Sequence, residues 1–159
     1  MVAGVLGYGI YAIVTAPKIP QTPQGDIVSQ NGLHWHAHVA IKINGENIPI
    51  PAGIGTTGPT GSNGEPTELH THETDGIIHA EFAGVVTKEQ LKLKHFFEVW
   101  MKDFSKDSIL GYKAGNGHTI TMFVNGKPNT DFENYSITGL GTFDSHGDGN
   151  IDDIEIIYQ

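Results

Sequence analysis

The chain has 159 residues, 38% of them apolar, which suffices for one domain with its own core and is too few for two of ordinary size. Eighteen acidic against nine basic residues leave a formal charge of −9, and every basic residue is Lys, so nucleic acid would find neither a basic face nor an Arg fork. The absence of Cys excludes disulfides, thiolate zinc sites, iron–sulfur clusters, blue-copper centres and cysteine nucleophiles, whereas nine His stand out as the compositional surplus.

Residues 1–16, MVAGVLGYGIYAIVTA, carry no charge and run directly into Pro17, Lys18, Pro20 and Pro23, so a hydrophobic segment gives way to a Pro-rich linker over 17–31. Sixteen residues fall just short of the about 17–25 that cross a bilayer as a helix. No Lys or Arg precedes them, and Pro17 directly follows the small-residue sequence that a signal peptidase would otherwise accept. An uncleaved membrane anchor is expected. The alternatives are an assembly element buried by neighbouring subunits, for which Gly4, Gly7 and Gly9 allow close approach, and an ordinary buried element of the domain.

Residues 32–159 read as a single α+β domain. LHWHAHVAIKI, 33–43, alternates apolar residues with His34, His36, His38 and Lys42, the pattern of a strand with one buried face. Asn44-Gly45 is a turn, and the prolines of 47–51 confine the returning strand to an edge. After a Gly/Thr/Pro loop, ELHTHETDGIIHAEFA, 68–83, reads as a hairpin around Asp75-Gly76, a register that sets His72 opposite His79 and His70 opposite Glu81. Thr87 and Gln90 form a capping-box pattern that predicts a helix over 87–104, burying Leu91, Leu93, Phe96, Phe97, Trp100, Met101 and Phe104. HTITMFV, 118–124, an Asn125-Gly126 turn and IDDIEIIY, 151–158, predict the closing strands. Strands, one helix and strands again imply a small mixed or antiparallel sheet, a roll with the helix packed on one face.

The His residues are placed where a sheet can use them together. Neutral imidazole is the commonest protein metal ligand, and residues i and i+2 of a strand point the same way about 6.6 Å apart. His34, His36 and His38 form one such row, and His70, His72, His79 and Glu81 share a face of the predicted hairpin. Without an ion these imidazoles would repel as cations in mild acid, or need a hydrogen-bond partner each if buried and neutral. The ends of the His34–His38 row are about 13 Å apart on the strand rise, too far for all three to hold one ion, so either two ions bind or one His supports the others. Nitrogen ligation with one carboxylate and no sulfur points to Cu(II) or Zn(II), with Fe the choice if two His and Glu81 form a facial triad. Thr71, Glu73 and Asp75 are the candidate partners that would fix imidazole tautomers. His95, His118 and His146, each alone, read as solvated residues.

A weaker pattern, Asp144, Asp148, Asn150, Asp152 and Glu155, has the spacing of a twelve-residue calcium loop with Gly149 at its sixth position. The strand pattern of 151–158 and His146 speak against it, and the other reading is an acidic turn before the last strand. Asn134-Tyr135-Ser136 is a glycosylation sequon, meaningful only outside the cytoplasm.

HWHAHVAIKINGENIPIPAGIG, LHTHETDGIIHAEF and the later FFEVW together resemble an uncharacterised family of membrane-anchored or exported archaeal and bacterial proteins. Its recurring motifs are HWHxH, IPAxIG, LHTHxxxGxIHxE, FFxxW and VxVNGK, and the likeness covers about residues 33–128. It implies an extracytoplasmic domain with a metal site at His34, His36, His38, His70, His72, His79 and Glu81. The longer acidic loop 145–153 departs from that pattern. MFVNGKP and the closing IEIIY also look like the end of a β-grasp domain.

The leading expectation is an extracytoplasmic metal-binding module that captures, stores or delivers copper or zinc. A second is a structural subunit of a membrane complex or extracellular filament, with 1–16 contacting membrane or neighbouring subunits and the metal stiffening the assembly. The third is a metal-dependent enzyme with an open His/Glu site and Glu81 or Glu73 as a general base.

Overall fold

The computed structural model describes residues 26–56, 65–141, 143–144 and 150–159. It opens with β1 (Ile27–Ser29), and the alternation over 33–43 then produces the long strand β2 (Leu33–Ile43), followed by β3 (Glu46–Ile48). β4 (Leu69–His70), β5 (Ile77–Phe82) and β6 (Val86–Thr87) precede the helix α1 (Leu93–Val99) and a small ribbon of β7 (Ser108–Ile109) and β8 (Tyr112–Lys113). β9 (Ile120–Val124), β10 (Lys127–Asn129), β11 (Phe143–Asp144) and β12 (Asn150–Tyr158) complete the order. Asn44 and Gly45 turn between β2 and β3, and Asn125 and Gly126 between β9 and β10. All four have positive φ, which matches the twist of the paired strands.

The main sheet runs β10-β9-β12-β2-β5-β4, with β3 added to β2 and β11 to β12. β2 and β12 lie parallel at its centre, and the remaining pairs are antiparallel, so the sheet is mixed and the class is α+β. One face carries Ala37, Val39, Ile41 and Ile43 of β2, Ile154, Ile156 and Tyr158 of β12, Met122 and Val124 of β9, and Ile78 and Ala80 of β5. Leu93, Phe96 and Phe97 of α1 join this core, and burying each contributes roughly 1.5–3 kcal/mol. By the two-residue period of a strand, His34, His36 and His38 stand on the opposite face.

The structure corrects three local expectations. The helix covers only 93–99 of the expected 87–104, because residues 91–93 run beside 135–137 and the backbone bonds go there: Leu93 N–H donates to Tyr135 O at 2.9 Å and Ile137 N–H to Leu91 O at 3.0 Å. Half of the capping box forms, on the turn before the helix, where Gln90 Oε1 accepts Thr87 N–H at 2.9 Å and Thr87 Oγ1–H at 3.0 Å. At the other end Met101, expected in the core, is 73% exposed with φ 56° and terminates the helix, with Lys102 N–H bonded back to Phe97 O and Met101 N–H to Glu98 O.

Asp75-Gly76 makes no two-residue hairpin turn. Gly76 O instead accepts Val39 N–H at 2.9 Å, continuing the β5–β2 ladder, while Thr71 pairs with Gly53 and Ile54. The result is a six-residue connection, 71–76, and a register in which His70 faces His79 rather than Glu81. Finally, Ile27–Ser29, placed in the linker by composition, pairs with β6 as a strand. The hydrophobic segment 1–16 and the linker up to residue 25 lie outside the described residues. No helix among the described residues is long and apolar enough to cross a membrane.

Candidate metal centre

Three strands bring the imidazoles together. β2 pairs with β5 so that His36 faces His79 and His34 faces Glu81, and β5 pairs with β4 so that His79 also faces His70. His36, His79 and His70 therefore form a row across the sheet, because directly paired residues of adjacent strands share a face. His72, just beyond β4, turns its ring back onto the row, with its centroid 4.5 Å from that of His79.

Two groups of ligand atoms result, each drawn within 4.8 Å of one another: His70, His72, His79 and Glu81 in one, and His34, His36 and His79 in the other. His34 Nε2 lies 3.0 Å from His36 Nε2, and His70 Nε2 lies 3.2 Å from His72 Nε2. Glu81 Oε1 is 3.2 Å from His34 Nε2 and 3.8 Å from His70 Nε2, so the carboxylate touches both groups. His70 is buried, at 1% exposure, and its Nδ1 lies 2.8 Å from Thr67 O. That carbonyl can only accept, so it assigns the proton to Nδ1 and leaves Nε2 as an acceptor, here facing His72 Nε2, with the lone pair that metal-ligating imidazoles require. His79 Nδ1 is buried without a hydrogen-bond partner among the described residues, which is rare in a native interior. Burial first, and then the neighbouring His36, His72 and His70, lower the His79 pKa to about 4, so the ring stays neutral and available as a ligand well into mild acid.

Of the seven predicted ligands, His34, His36, His70, His72, His79 and Glu81 gather, and His38 does not. The parallel register puts His38 beside Asp153 of β12, whose Oδ1 lies 2.8 Å from its Nδ1, and its ring stacks on Phe143 at 4.0 Å. Two of the suggested tautomer partners, Thr71 and Asp75, bond elsewhere. Thr71 is fully buried, donating to Pro51 O and accepting from Ile54 N–H, and Asp75 Oδ1 accepts Ile77 N–H. Thr67 and Asp153, which hold His70 and His38, are not marked by the sequence: a main-chain carbonyl leaves no signal there, and Asp153 is recognisable only from the β2–β12 register.

The calcium pattern does not assemble at its end. Asp152 and Glu155, three residues apart on β12, point to opposite faces. Asp152 is fully buried and bonded to Tyr135, Thr138 and Asn125, whereas Glu155 pairs with Lys42. Asp148 and the side chains of Asp144 and Asn150 lie outside the described residues. No family model, curated protein or solved structure matches this chain.

Proposed function

We propose that this protein is an extracytoplasmic transition-metal-binding protein that takes up copper or zinc for capture, storage or delivery. The observation that carries the reading is the convergence of five imidazoles and one carboxylate from β2, β4, β5 and the 71–76 connection. Borderline divalent ions favour such nitrogen-rich donors, and the missing thiolates leave Cu(II) and Zn(II) as the best matches. Exposure is graded across the cluster: the His70 side chain is 1% exposed, those of Glu81 and His34 46% and 59%. An anchored inner ligand with open outer ones suits an ion that must arrive and leave. The motif resemblance and the uncharged segment 1–16 support a place outside the cytoplasm, attached to a membrane or to neighbouring subunits. The strand order β3-β2-β12-β9-β10, with β2 and β12 parallel at the centre, supports a β-grasp-like roll in which β4 and β5 extend the sheet.

Elemental analysis of the untagged protein beside His36→Ala and His72→Ala tests the reading. Bound copper or zinc in the parent chain, reduced in both variants, is the expected result. Equal metal content in all three would remove it.

A further inference from the structure

We infer that the cluster is a two-ion centre in which His79 bridges one ion held by His34 and His36 and another held by His70 and His72. This rests on the metal-binding reading and adds the number of ions and the link between them. Two nitrogens bound to one copper or zinc at about 2.0–2.1 Å are about 2.9 Å apart at a right angle and about 3.4 Å apart at the tetrahedral angle. The His34–His36 and His70–His72 nitrogen pairs, joined by N–H···N hydrogen bonds of 3.0 and 3.2 Å, both fall in that interval. Each pair is therefore already spaced as two neighbouring ligands of a single ion, and five imidazoles exceed what one four-coordinate ion accepts.

The two pairs do not belong to one group of ligand atoms; His79 alone belongs to both. Its ring centroid lies 4.4 Å from that of His36 and 4.5 Å from that of His72, and the ring is steeply inclined to each, at 75° and 78°. That near-symmetric placement between the pairs, with a buried Nδ1 that no group among the described residues satisfies, suits a ligand with two opposed donor atoms. Glu81, in contact with both His34 and His70, supplies a negative charge to both halves. The proton balance is simple. The first ion takes the unprotonated nitrogen of neutral His79, the second displaces the remaining N–H proton to solvent, and the bridging imidazolate offsets part of the charge of the two dications.

The test uses the full chain, stripped by a chelator and reloaded with copper(II) alone, with bound copper counted and the electron paramagnetic resonance signal integrated. Two coppers per chain are expected, their spins coupled through the ring so that the integrated signal falls well below half of the bound copper. His79→Gln should restore a signal proportional to copper. The His34→Ala/His36→Ala double variant, altered near the N-terminal end of β2, should retain one copper with its full signal, which keeps the test decisive should His79→Gln fail to fold. One copper per chain in the parent protein, or two with independent spins, overturns the bridge while leaving metal binding intact. No bound copper at all overturns the metal-binding reading as well.

Discussion

Replacing Asp152 by Ala should destabilise the domain without touching the imidazole cluster. Asp152 is completely buried, and its carboxylate accepts from Thr138 N–H at 2.7 Å, Thr138 Oγ1 at 2.9 Å, Tyr135 Oη at 3.0 Å and Asn125 Nδ2 at 3.4 Å. A hydrogen bond to a charged acceptor contributes about 1.5–3 kcal/mol, but Thr138 can regain water in the variant, so the contributions do not simply add. Counting two of these bonds in full gives a loss of about 3–6 kcal/mol, which brackets the about 3–5 kcal/mol found when one partner of a buried charged pair is removed. For a domain of this size that lowers the thermal midpoint by about 10–20 °C. Tyr135→Phe removes one donor and should cost about 1 kcal/mol. Burial and the adjacent carboxylate push the Tyr135 hydroxyl up from its ordinary range, so it remains a donor at neutral and mildly alkaline pH. Calorimetry and urea unfolding at pH 7 read both effects, and the double variant should lose less than the sum of the two singles. An Asp152→Ala protein within 1 kcal/mol of the parent would refute the reasoning. Stabilisation of the parent by millimolar calcium, absent in the variant, would return Asp152 to the role of an ion ligand.

Acid should weaken the metal-free protein through His79. Its folded pKa of about 4 lies below the ordinary 6.5, so the unfolded chain binds this proton first; the stability this group lends is complete above pH 6.5 and drains away as pH falls towards 4. Urea midpoints of the metal-free chain at pH 7 and 4.5 should show the decline, with a shallower slope in His79→Gln; equal slopes would contradict the assignment. Gly76→Ala should cost about 1–3 kcal/mol and loosen the 71–76 connection, because a Cβ there would lie 2.5 Å from Val39 O on a backbone of φ +80°. Unchanged thermal stability of that variant would show the close approach to be dispensable. Met101→Gly should gain about 1 kcal/mol, since Met101 holds the left-handed position that ends α1 while its side chain is largely exposed; a lowered unfolding midpoint would count against this.

The alternation of β2 and β12, the Asn-Gly turns and the donor set of His34, His36, His70, His72, His79 and Glu81 are readable from residue order. A strand's two-residue period fixes which side chains share a face before any partner is known. Pairing is another matter. Which residue faces which depends on where remote backbone groups find hydrogen bonds, so Gly76 joined β2 instead of closing a hairpin and His79 came to face both His36 and His70. For the same reason the 135–137 segment cut the helix to two turns, and the parallel approach of β12 drew His38 to Asp153. Local patterning thus supplied the donors, and long-range hydrogen bonding grouped them, because contacts across more than a hundred residues leave no trace in the spacing of either partner.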